Sequence, residues 1–347
     1  DLQGGIHMVL TVDDDKAVAN SVDLLTEQIQ SELRGEEIAT RAWKRDGTTE
    51  LVFELVSRQK AEALEKFLTD SYPNLERVSG DGTSYRYRLV PAEADGIRQL
   101  AIEQALETIR NRVDEFGVSE PTIQRTSANG ILVQLPGVQD PERAKKLIGR
   151  TAQLQFRLVA SDPQAAGIET LSGTEIDTIT GRPTAMTYKV ERGVIMAGDV
   201  ISDARHRPGE FGESPYVAIT LDSRGARIFE RVTSDNVGRQ LAIVLDGKVQ
   251  SAPVIRERIG GGRAIISGSF TLDEARDLAI VLRAGALPAP VSIAEERTVG
   301  PSLGRDSVEA GVKSFQIGAV LVVLAMVLYY RLAGVIADIG LVLNVVV

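Results

Sequence analysis

Gly300-Pro301-Ser302-Leu303-Gly304 comes nearest to covalent chemistry in this sequence, because G-x-S-x-G is the pattern of a serine nucleophile elbow. An elbow works only with a strand before it, a helix after it and a histidine base later in the chain. Both histidines, His7 and His206, precede Ser302, so a serine hydrolase is not expected. His7 and His206 are far apart and have no companion at ligand spacing, which leaves them as structural or surface residues. Cysteine is absent, which removes thiolate metal sites, cysteine nucleophiles and disulfide scaffolds. Asp13-Asp14-Asp15 lacks the alternate spacing and turn glycine of a calcium loop and reads as the solvated start of a helix. Gly260-Gly261-Gly262 has no Lys-Ser/Thr behind it, so it reads as a turn between strands rather than a phosphate cradle. The sequence therefore predicts no catalytic residue, no metal site and no cofactor.

The same Gly300 region leads into the chain's most hydrophobic stretch. From Phe315 to Tyr330 there is no charge, and that run would rise roughly 24 Å as a helix; a turn or two from Asp306 onward brings it to bilayer thickness. Tyr329, Tyr330 and Arg331 close it as interface aromatics and a cytoplasmic positive charge would. A second apolar run starts at Ile339, and Asp338 before it reads as an interfacial loop or cap residue. With 347 residues, 43% hydrophobic and 25% charged, the part before this segment has room for two ordinary globular domains, placed outside the membrane. A net charge of -9 argues against nucleic acid or anionic lipid as the main partner. The chain opens on Asp1 with no export signal, so an upstream segment is expected.

Taken in order, Ile6 to Val12 reads as a strand, and Val18, Val22, Leu25, Ile29 and Leu33 make one face of a helix closed by Gly35. Strands Ile38 to Trp43 and Glu50 to Val56, a helix Gln59 to Leu68, and strands Leu75 to Ser79 and Tyr85 to Val90 follow. The opening β-α-β-β-α-β order predicts an α+β fold with a ferredoxin-like (βαββαβ) unit over 1–90. A helix from Ile97 carries Ile102, Leu106, Ile109, Val113 and Phe116 on one face, and Asn129-Gly130 marks a hairpin. Between Val159 and Pro215 strands are short and glycine and proline frequent, which reads as an inserted sub-domain. Regular patterning resumes with Tyr216 to Leu221, the Asp246-Gly247 turn, and a helix Leu272 to Ala284 opened by a Thr271/Glu274 capping box.

Several stretches together resemble the SecD family, the membrane subunits that work with SecF beside the bacterial protein-export channel. Asp1-Leu2-Gln3-Gly4-Gly5 is similar to the family's DLxGG motif. IRNRVDEFGVSEPTIQR from Ile109, LPGVQDPERAKKLIG from Leu135, LAIVLDGKVQSAPVI from Leu241, ISGSF from Ile266 and EARDLAIVLRAGALPAPV from Glu274 continue the resemblance. GPSLGRDSVEAG from Gly300 and YYRLAG from Tyr329 are the membrane-side signatures.

The resemblance implies a large domain in the periplasm on the bacterial inner (plasma) membrane, with a ferredoxin-like base carrying an inserted head. It also implies partners: SecF, the SecY-SecE-SecG channel, an unfolded exported preprotein and the lipid bilayer. Proton-motive force would drive the head, with the proton path expected beyond Val347. On this reading residues 1–90 are the first part of the base, 91–158 with 216–298 the second, and 159–215 the head. Residues 299–313 are the junction, 314–332 the membrane helix and 333–347 the start of the next. Tyr188, Val190, Val194, Ile195, Met196 and Phe211 are the candidate head contacts for substrate, or else the head's own small core. Asp1, Gly4, Gly5, Gly300, Pro301, Gly304, Asp306, Gly311, Tyr330, Arg331 and Gly334 are the motif and hinge candidates. Two other readings are an external domain of a resistance-nodulation-division small-molecule exporter, which shares βαββαβ units, and a membrane-tethered enzyme.

Overall fold

The computed structural model describes residues 5–80, 82–126, 129–138, 140–162, 164, 167–176, 183–209, 214–268, 270–299, 301–331, 333–337 and 339–340. The first elements are β1 (Gly5–Val12), α1 (Asp14–Gly35), β2 (Thr40–Asp46), β3 (Glu50–Leu55), α2 (Ala61–Ser71), β4 (Leu75–Gly80), β5 (Ser84–Leu89) and α3 (Pro91–Phe116). Next come β6 (Thr122–Arg125), β7 (Gly130–Pro136), α4 (Pro141–Gly149), β8 (Leu154–Leu158), β9 (Ile168–Ile176), β10 (Pro183–Glu191), β11 (Met196–Ala197) and β12 (Ile201–Arg207). The chain continues through β13 (Tyr216–Leu221), α5 (Ser223–Asp235), β14 (Leu241–Leu245), β15 (Lys248–Ser251), β16 (Arg263–Ile266), α6 (Leu272–Ala284), β17 (Val291–Val299) and α7 (Pro301–Tyr330).

β1 alternates cleanly, with Ile6, Met8, Leu10 and Val12 buried, so one face of its sheet must be covered. The sheet is antiparallel with the order β17-β1-β7-β6, and α3 and α4 cover it through Ala101, Ile102, Ala105, Ile109, Val113, Ala144 and Ile148. In chain order this unit is β1-α3-β6-β7-α4-β17. It has the β-α-β-β-α-β succession that the sequence placed within 1–90, assembled instead from three separated segments. The 1–90 assignment fails because β1 pairs with β7 and β17 and not with β2. Asp13 caps α1 by accepting from the Lys16 N–H and turns the chain away at once. β17 went unread because its Glu295, Glu296 and Arg297 break the apolar pattern, as edge strands commonly do.

Residues 14–89 form a unit of their own. Its antiparallel sheet, β2-β3-β5-β4, buries Leu51, Phe53, Leu55, Tyr85, Tyr87 and Leu89 against α1 (Val18, Val22, Ile29, Leu33) and α2 (Leu64, Leu68). A second insertion, between α4 and β17, carries the sheets β10-β9-β15-β14-β8-β11 and β12-β13-β16. Phe156, Ile219, Phe229, Ile243, Leu278 and Leu282 from both sheets, α5 and α6 share one core. The expected head boundary at 159–215 therefore moves outward. β12 pairs with β13, and β8 pairs with both β11 and β14, so strands on either side of residue 215 cannot be separated.

The motif residue Gly5 has a physical reason. It lies opposite Pro136 and Val299 with φ at 145°, and a Cβ there would lie 2.5 Å from the Leu135 carbonyl oxygen. A backbone flanked on both sides by paired strands cannot give way. Gly5→Ala is expected to destabilise the base by about 3 kcal/mol, the upper end for a backbone region reserved for glycine. A thermal unfolding midpoint equal to the parent's would show that β1 relaxes instead.

α7 starts directly after β17, with Pro301 in its first turn, where a missing N–H costs nothing. The junction expected over 299–313, with Pro301, Gly304, Asp306 and Gly311, is thus helical from Pro301 onward. Its Glu309–Tyr330 portion is long and apolar enough to cross a membrane. Phe315, Val320, Leu321 and Leu328 are exposed along it, as a lipid-facing surface requires.

Candidate functional site at the joint between base and head

The chain passes between the α3/α4 base and the head twice, outward after α4 and back after α6. The two strands of this joint touch: the Leu287 N–H donates to the Thr151 carbonyl at 2.9 Å. Between them lies Arg112, on the buried face of α3 and with no exposed surface. Its Nη1 donates to the carbonyls of Leu147 (3.1 Å), Ile148 (2.8 Å) and Arg150. Its Nη2 donates to Thr151 (3.5 Å) and Gly285 (3.0 Å). One guanidinium therefore ties the end of α4, the outgoing strand and the end of α6. Among the described residues no carboxylate bonds to it, and its Nε has no partner. Burial pushes Arg112 down to about 10, with Asp246 opposing, so it stays charged at neutral pH.

Two ion pairs flank this centre. Arg143 of α4 donates from Nη2 to Asp277 of α6 at 2.7 Å, with Asp273 at 3.7 Å. The hydrogen bond that Arg143 donates to Asp277 raises the Arg143 pKa. Arg283, at the far end of α6, meets Glu115 of α3 at 2.6 Å, and donates to the Ala204 carbonyl at 2.7 Å. Each pair borders an open cleft, one of about 400 Å³ between α4 and α6 and one of about 410 Å³ lined by Asn111, Asp114, Glu115 and Arg283. On the head, the outer face of β12-β13-β16 forms a shallow groove of about 560 Å³. Ala218 and Thr220 lie within it beside Arg205, Arg207, Tyr216, Arg263 and Ile265.

The structure divides the predicted head contacts. Val190 and Met196 are core residues, with 0% and 4% exposure; Tyr188 and Ile195 are half-buried against the same cores. Val194 is exposed at 42%. Phe211, Asp1, Gly4, Gly300 and Asp338 lie outside the described residues. Gly311 sits within α7 with open space beyond its Cα. Tyr330 is exposed and packs edge-on against Tyr329, and Arg331 takes a left-handed turn that ends α7. Gly334, in the helical turn that follows, lies so close to the Met326 carbonyl that a Cβ would collide with it. The remaining sequence candidates find structural roles. Asp15 pairs with Arg98, and Gly262 packs so tightly on α5 that a Cβ would lie 2.7 Å from that of Ala226. β17 and α7 do supply a strand and a helix around Ser302, but His7 is in β1 and His206 in β12. Among the described residues no group of His, Asp and Glu could hold a metal ion.

Sequence reasoning missed Arg112, although its position could have revealed it. Arg112 is three residues after Ile109 and four before Phe116, on the stripe that the apolar pattern assigns to the core.

An α+β body in two insertions is mounted on a sheet that runs into a helix long and apolar enough to cross a membrane, and comparison with known proteins narrows the class. Residues 174–289 match the family model of the SecDF P1 head subdomain, and 102–161 that of the N-terminal P1 domain of protein translocase subunit SecDF. Protein translocase subunit SecD of Syntrophobacter fumaroxidans is 45% identical over 359 residues, covering 99% of this chain and 67% of the relative. That of Calditerrivibrio nitroreducens is 43% identical over 362 residues, covering 100% and 70%. A crystal structure of SecDF in a super-membrane-facing form is 28% identical with a TM-score of 0.53, covering 99% of this chain and 37% of that one. The chain belongs to the SecD family of protein translocase subunits. It spans about two thirds of the length of these curated relatives. It is thus a protein-transport component of the Sec pathway, and the head subdomain of its family model, 174–289, extends well past residue 215.

Proposed function

We propose that this chain is the export-side part of an auxiliary Sec subunit in the bacterial inner membrane, with its large domain in the periplasm. Working with SecF beside the SecY-SecE-SecG channel, the head engages an unfolded preprotein as it emerges. Proton-motive force, acting through the membrane helices, drives the late stage of export. The observation that supports this best is the direct succession of β17 and α7. β17 is hydrogen-bonded into the base sheet and α7 begins at Pro301, so a tilt of the membrane helix reaches the base with almost no slack. The β-α-β-β-α-β order of that base supports the ferredoxin-like description, and both crossings to the head lie at one joint.

Substrate contact is tested with a photo-crosslinking side chain at Val194 or in the groove at Ile265, both exposed, in membrane vesicles holding an arrested preprotein. Capture of the preprotein at these positions is the expected result, with buried Met196 silent as the control. Capture at neither Val194 nor Ile265, with the preprotein demonstrably in the channel, would overturn the reading.

A further inference from the structure

Head and base meet along α6, and the contacts at its two ends differ in kind. α6 belongs mechanically to the head, because Ala275, Leu278, Ala279, Val281 and Leu282 lie in the head core. Its C-terminal end is fixed to the base by a buried, charge-assisted bond from Arg112 to the Gly285 carbonyl, while the same guanidinium holds the end of α4 through the Leu147 and Ile148 carbonyls, partners that no side-chain rotation can withdraw. Arg283 adds a bond to Glu115 at the same end. The N-terminal half is held to α4 by Arg143 with Asp277 and Asp273, with about a quarter of the Arg143 and Asp277 side chains exposed beside a cleft of about 400 Å³. Water and salt can replace that ion pair, while Leu147 of α4, at the pivot end, stays packed in the same core as α6. From Asp277 to Gly285 the helix rises roughly 12 Å, which is the lever arm between the two attachments.

We infer that Arg112 is a positioning residue, the pivot on which the head turns, and that Arg143 with Asp277 is the releasable latch that sets the head's angle. Breaking the latch lets α6 swing about its C-terminal end while the pivot bonds persist, and the cleft between α4 and α6 opens. Arg112 thus does more than fill space: it keeps both chain crossings in register while the angle changes.

This inference rests on the division into base and head used in the proposed function, but its test needs no export. The chain contains no cysteine, so spin labels can be placed at Gln104→Cys on α3 and Ser234→Cys on α5, both exposed. Pulsed electron–electron distance measurements on the membrane-embedded protein then report the head's angle. Asp277→Asn and Arg143→Gln are each expected to broaden or shift the distance distribution while leaving the melting temperature within about 2 °C of the parent, as a pair open to solvent at the cleft allows. The double variant should do no more than either single one, because both remove the same contact. Arg112→Lys keeps the charge but loses the planar fork, and should broaden the distribution and also lower the melting temperature. Distributions that superimpose on the parent's for both latch variants would overturn the latch. A folded Arg112→Lys protein with the parent's distribution would overturn the pivot. A shifted distribution with no preprotein captured at Val194 or Ile265 supports the latch and counts against the export reading, so the two fail separately.

Discussion

Replacing Arg112 by methionine is expected to destabilise the folded chain by about 4 kcal/mol, within the range for removing one partner of a buried charged contact. Two effects oppose each other. Methionine relieves the desolvation of a buried cation, the effect that holds the Arg112 pKa down to about 10. Had the partner been a carboxylate that could be removed at the same time, an apolar replacement of both could be neutral. Here the partners are the carbonyls of Leu147, Ile148, Arg150, Thr151 and Gly285, which remain when the side chain goes. Each buried acceptor left unsatisfied costs about 1–3 kcal/mol, so losing more than one already exceeds the desolvation recovered. The melting transition should fall by roughly 5 °C for a chain of this size. A fall of less than about 2 °C would mean that water reaches the joint and takes over these carbonyls.

Local signals in the sequence were sound where one residue type decides a conformation. Thr271 and Glu274 form the reciprocal capping box, with Thr271 accepting from the Glu274 N–H and Glu274 accepting from that of Thr271. Gly117 takes the left-handed C-cap of α3, and Asp246 and Gly247 both have positive φ, as a type I′ turn demands. The membrane segment was equally legible, since its length and lack of charge are properties of the run itself.

What the sequence concealed was partnership between distant strands. β1 has an alternating pattern that any half-covered sheet would accept. Chain proximity favours β2, yet pairing with β7 and β17 satisfies both edges of β1 and lets α3 cover its apolar face. The head showed the same difficulty. β9 and β10 pair over a long antiparallel stretch whose residues alternate too little to announce it, and of the two readings open for Val190 and Met196, substrate surface or the head's own core, the core holds. Apolar residues in an irregular region look alike in sequence whether they face a substrate or each other. Only sheet pairing separates Val194 from its neighbours.

Joining Arg143→Cys on α4 to Asp277→Cys on α6 with a short bis-maleimide is expected to lower preprotein export by tenfold or more. Neither the uncrosslinked variant nor the same variant capped with a monofunctional maleimide should lose more than a small part of it. The absence of any cysteine in this chain confines the bridge to the chosen pair. The expectation follows from magnitudes. An Arg–Asp pair with about a quarter of each side chain exposed is worth on the order of 1 kcal/mol, so thermal motion opens it readily. One elementary charge crossing 100 mV supplies about 2.3 kcal/mol, enough to release such a latch once per proton. A covalent bridge does not yield to energies of that size, so any work delivered through α7 and β17 would be stopped at the joint before reaching the head. If the fully crosslinked protein exported at the parent's rate, head motion would be irrelevant to export. The head would then act as a fixed receptor for the emerging chain, and force from the membrane would have to reach the preprotein by a route that bypasses α6.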